Sequence, residues 1–128
     1  MPLPTPSLLP ENALQVIKGA SRTLQLTVTD TCGKPLDITG ARVLMTVKER
    51  IEDRNPLIYK TSDTSAQIVI TVPRHGIAEI YLIPADTIHL AVKDYVFDVW
   101  LILSDGKRLP VVLPSVFEVQ AGVTVLPA

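Results

Sequence analysis

The chain has 128 residues, 47% of them hydrophobic and 20% charged, with a formal net charge of −1 and one cysteine. That length suits one domain able to bury roughly two thirds of its unfolded surface. The near-neutral charge offers no long-range field for nucleic acid or an anionic membrane, and a lone cysteine excludes an intrachain disulfide, so neither partner and no oxidising compartment is expected.

Residues 1–12, MPLPTPSLLPEN, hold four prolines. Each fixes φ and removes a backbone donor, which excludes helix and any central strand and predicts an extended arm. The arm is apolar through Leu3, Leu8 and Leu9, unlike the charged composition of a free solvated tail. It also interrupts any continuous apolar start, so no signal peptide is expected. Residues 1–12 are therefore expected to act as an assembly arm, ordered on a partner, ahead of a sandwich domain spanning 13–128.

From Ala13 onward the hydrophobic pattern has period two. Leu24, Leu26 and Val28 alternate with threonines and Gln25, and predict a half-buried strand. Asp30 to Pro35 form a turn that carries Cys32. Val43, Met45 and Val47 alternate with Arg42, Thr46 and Lys48. The KERIEDRN stretch, 48–55, alternates charge signs and is expected as a solvated connection. Ile68, Ile70 and Val72 precede Ala78, Ile80 and Leu82, joined by a hairpin turn at Pro73-Arg74-His75-Gly76. Pro84 to Leu90 is proline-led and short, and predicts one helical turn crossing between sheets.

The segment from Tyr95 to Leu103 is apolar on both faces and is expected to lie centrally or against a neighbour. Asp105-Gly106 supplies the positive φ of a tight turn, after which the chain returns through Leu109–Leu113 and a last strand, Val116–Gln120. Seven or eight short strands between Gly, Pro and Asp turns predict an all-β, immunoglobulin-like, two-sheet antiparallel sandwich with an extended N-terminal arm.

No catalytic, metal or cofactor-binding constellation is found, and no cofactor and no enzymatic activity are expected. The glycines are isolated rather than clustered before a helix, no serine sits in a Gly-x-Ser-x-Gly turn, and His89 has only Asp86 nearby, too few groups for a metal. Two residues on one face of the central strand remain as interface candidates. Asp98 is costly to bury alone and is expected to pair with a base such as Arg42 or Lys48, or to contact another subunit. Trp100, beside it, is either a core tryptophan or part of a face that packs on another subunit.

Gly19 to Lys48, GASRTLQLTVTDTCGKPLDITGARVLMTVK, resembles the opening of the immunoglobulin-like domains of tailed-phage structural proteins, typified by the N-terminal domain of the baseplate upper protein. Gly33, Pro35, Leu36, Asp37, Thr39 and Gly40 match a Gly-x-Pro-(Leu/Val)-Asp-Leu-Thr-Gly signature, with Ile38 in place of the usual Leu. Gly76–Leu90, with its Pro-Ala-Asp-Thr turn, and Lys93–Leu109, with its Asp-Val strand and Asp-Gly hairpin, are similar to the second half of that family. The resemblance spans residues 17 to 120. It implies structural roles for Asp37, in an Asx-type turn, and for Asp98.

The resemblance implies a non-enzymatic virion component of a baseplate, tail, neck or capsid surface, made in the host cytoplasm. It would contact other virion proteins and copies of itself through Leu3, Leu8 and Leu9 of the arm and through Asp98 and Trp100. The other expectation is a stand-alone β-sandwich module binding carbohydrate or another ligand through its loops.

Overall fold

A computed structural model describes residues 13–124. Eight strands follow in order: β1 (Leu14–Ile17), β2 (Arg22–Thr27), β3 (Arg42–Lys48), β4 (Ile58–Thr61), β5 (Ile68–Val72), β6 (Ile77–Leu82), β7 (Asp94–Ile102) and β8 (Arg108–Gln120). One helical turn, α1 (Pro84–Thr87), lies between β6 and β7. The strands form a five-stranded sheet ordered β1-β8-β7-β3-β4 and a three-stranded sheet ordered β2-β6-β5, an all-β two-sheet sandwich. Pairing is antiparallel except for β1, which runs parallel to β8.

The alternation in the sequence sets the core. Val43, Met45 and Val47 of β3, Tyr95, Phe97, Val99 and Leu101 of β7, and Phe117 and Val119 of β8 point inward from the larger sheet. They meet Ala78, Ile80 and Leu82 of β6 and Ile68 of β5, all buried. The Phe97 and Phe117 rings meet edge to face with centroids 6.0 Å apart, the arrangement their quadrupoles favour. β7 is the middle strand of its sheet, as its two apolar faces led one to expect.

Two strands differ from the sequence reading. Leu109–Leu113 and Val116–Gln120 belong to one strand, β8. The register against β7 slips between the pairs Phe97–Ser115 and Val99–Val112, and again before Trp100–Pro110. These bulges place Pro110 and Pro114 where the ladder is already broken, so a missing N–H does not end the strand. The other difference is β4, which the pattern did not reveal because its inward residues are Ile58 and Lys60 while Tyr59 faces out.

Lys60 is 5% exposed. Its Nζ lies 2.7 Å from Asp86 Oδ2 in α1. The same carboxylate oxygen accepts the Ile83 N–H at 2.8 Å, satisfying a backbone donor at the start of the helical turn. The neighbouring Thr87 is fully buried, and its Oγ1 accepts the Gly19 N–H at 2.8 Å. The Pro-Ala-Asp-Thr turn thus fastens the crossover to β4 and to the turn between β1 and β2.

Asp37 forms the expected Asx-type turn, its Oδ1 accepting the Thr39 N–H at 2.9 Å and the Thr39 hydroxyl at 2.5 Å. Asp30 does the same for the next turn along, accepting from the Cys32 and Lys34 amides, with Cys32 exposed. β5 and β6 are joined by a 3-10 turn at Pro73–His75 that Gly76 ends with φ +70°. Gly76 lies where three segments cross: its C=O accepts the Val28 N–H at 2.8 Å, and Leu36 N–H donates to Val28 O. A Cβ there would stand 2.4 Å from Val28 O and 2.8 Å from Leu36 O. Gly106 has φ +91° but open space around it. Gly76→Ala is therefore expected to lose at least about 3 kcal/mol of unfolding free energy in urea, from conformational strain plus the backbone clash, against about 1–2 kcal/mol for Gly106→Ala. Equal losses would show that the crossing relaxes.

Candidate functional site

β7 has two faces because side chains alternate across a strand. With Tyr95, Phe97, Val99 and Leu101 inward, Val96, Asp98, Trp100 and Ile102 face away from the sandwich. Cross-strand pairing sets Leu44 of β3 opposite Trp100, Thr46 opposite Asp98 and Lys48 opposite Val96. On the other flank Pro110 and Val116 of β8 oppose Trp100 and Val96. The result is an outer sheet face of Leu, Val, Ile, Pro and Trp side chains with few charges.

A shallow groove of about 280 Å³ runs over this face, lined by Thr46, Lys48, Ile51, Val96, Phe97, Asp98, Trp100 and Pro114. Trp100 is 38% exposed and Ile51, on the rim, 61%. Trp100 is therefore not a core residue. Its Nε1–H donates to Asp98 Oδ2 at 3.0 Å, which holds the indole against the sheet with its ring accessible.

This bond replaces the expected ion pair of Asp98. Arg42 instead donates to Asp63 from Nε at 2.9 Å and from Nη2 at 2.5 Å, and Lys48 makes no ion pair with Asp98 among the described residues. The carboxylate stays on the solvent face, where hydration removes the need for a base. Ile51 was missed in the sequence because it lies inside a charged stretch, and only the fold carries that loop to the end of β3. Leu3, Leu8 and Leu9 lie outside the described residues.

Charge around the face is paired off. Lys93 bonds Glu49 beside the Ile51 loop, and Arg42 bonds Asp63 near the other end of β3. Among the described residues no group of three or more His, Cys, Asp and Glu side chains could hold a metal. Asp86, the carboxylate near His89, is committed to Lys60. No helix among the described residues is long and apolar enough to cross a membrane. What the face can do chemically is exclude water against a complementary apolar surface, with Trp100 as an anchor.

Three carboxylates carry the acid response. The Arg42 guanidinium holds Asp63 below its ordinary value of 3.8, the Lys93 ammonium holds Glu49 below 4.5, and the Thr39 hydroxyl and amide hold Asp37 below 3.8. A pKa lowered by folding means that the unfolded chain binds more protons, so stability rises with pH across the window. That contribution is complete above the ordinary carboxylate values and is lost as pH falls through them toward the lower folded values. The melting temperature is expected to be level from pH 7 to about 5 and to fall below about 4.5, with a shallower fall for Asp63→Asn. An unchanged slope in that variant would show that the pair is not formed in solution.

No family model and no curated protein matches the chain.

Proposed function

We propose that this chain is a non-enzymatic structural subunit of a tailed-phage particle, a component of its baseplate, tail, neck or capsid surface, acting through contact with neighbouring virion proteins and copies of itself. The observation that carries the reading is the outer face of the five-stranded sheet, where an accessible Trp100, steadied by Asp98 and edged by Ile51 and Pro114, forms an apolar groove. Tryptophan is over-represented among residues that dominate protein interfaces, and a face poor in charge loses little on desolvation. The phage affiliation is supported by the resemblance over residues 17 to 120. Within it, Asp37 makes its Asx turn, and the Pro-Ala-Asp-Thr segment supplies a buried ion pair and a buried threonine. The apolar arm would add a second contact. Neither nucleic acid nor membrane is part of this reading, nor is any cofactor.

The test is incorporation. Density-banded particles from cells producing the chain are expected to contain it. Trp100→Ser is expected to lower its occupancy at least about tenfold while shifting the melting temperature little, as a half-exposed interface anchor should. Particles that lack the native chain, or that take up the variant equally well, would overturn the reading.

A further inference from the structure

A second apolar opening lies on the other side of the molecule. Beside β2 a cleft of about 360 Å³ enters between the sheets, lined among others by Leu24, Leu26, Phe97, Val99 and Val112. Leu24 and Leu26 are only partly buried. Among the described strands β2 pairs with β6 alone, so its far edge presents a row of backbone donors and acceptors.

The chain leads straight to this cleft. Ala13 and Leu14 are on its lining, and β1 begins with Leu14 opposite Phe117 of β8, running parallel to it. Followed backwards from Ala13, the same line passes beside the part of β8 that contains Val112. It also runs antiparallel to β2, because the short turn at 18–21 reverses the chain between β1 and β2.

The sequence of residues 1–12 fits that edge. Pro2, Pro4, Pro6 and Pro10 all occupy even positions, and no proline occupies an odd one. In an extended strand successive N–H groups point to opposite edges. Every missing donor therefore falls on one edge, and the N–H groups of Leu3, Thr5, Ser7, Leu9 and Glu11 fall on the other. Such a segment pairs on one side only, and its proline side stops further strands from adding.

We propose that residues 1–12 lie over the cleft of their own sandwich as an edge strand beside β2. The odd positions pair with β2, and Leu3 and Leu9 share the face turned to the cleft. Twelve extended residues span about 40 Å, twice the length of the six-residue β2. The proposal does not depend on the phage reading; should both hold, assembly through the arm proceeds by exchange of this strand between copies.

Hydrogen exchange of the full chain tests it, with a free peptide of residues 1–12 as reference. The odd-numbered amides are expected to exchange at least about tenfold more slowly than in the peptide, equally across a range of protein concentrations. Two substitutions outside the sandwich separate pairing from mere apolar contact. Leu9→Pro removes an inward donor and is expected to return the segment to peptide-like exchange, whereas Leu8→Pro adds one more outward proline and is expected to leave protection in place. Peptide-like exchange in the native chain, protection that appears only at high concentration, or identical behaviour of the two proline variants would overturn the proposal.

Discussion

The ion pair between Lys60 and Asp86 fixes the point on which the arrangement of the sheets depends. Both groups lie in the sandwich interior, and a charge there without a partner would be strongly destabilising. Each supplies the other's partner at 2.7 Å, and Asp86 also takes the Ile83 N–H. The pair links β4, at the edge of the five-stranded sheet, to the crossover that leaves the three-stranded sheet. One residue further on, buried Thr87 takes the Gly19 N–H and draws in the turn that begins β2. Three segments distant in sequence are therefore held at one place by groups that cannot be separated cheaply.

The crossover delivers the chain into β7, and β7 gives the molecule its two characters. Its inner residues fill the core against β6, while its outer residues make the face that carries Trp100. Because alternation couples the two sets rigidly, a one-residue slip would bury Asp98 and Trp100 and expose Phe97 and Val99. The register that secures the core thus also fixes the display of the candidate contact surface. The bulges in β8 add to this, setting Pro110 opposite Trp100 rather than a residue with a free N–H.

Much of this was legible in the sequence, for identifiable reasons. Strands with strict alternation, such as Val43-Met45-Val47, were read correctly, because one buried face imposes period two. The Asp37 turn, the Asp105-Gly106 hairpin and the short helical turn after Pro84 were legible because their local chemistry has few other outcomes. β4 was not, since its inward row includes a lysine whose partner, Asp86, lies in a distant segment and only the fold brings the two together. The same limit misdirected Asp98. Sequence shows that a mid-strand acid needs accommodation, but not that its face is solvated or that the adjacent-but-one indole is the donor. The parity of the arm's prolines had no meaning until the free edge of β2 gave it one.

The most direct measurement is a double-mutant cycle on the buried pair, with Lys60→Met, Asp86→Asn and the combination, read by urea unfolding. If the pair fastens the crossover, each single change should cost about 3 kcal/mol or more, because it leaves a buried charge without its partner. The double variant should cost less than the sum by about 2 kcal/mol. A coupling below about 0.5 kcal/mol would mean that water, not Lys60, compensates Asp86, and would contradict the role assigned to the pair.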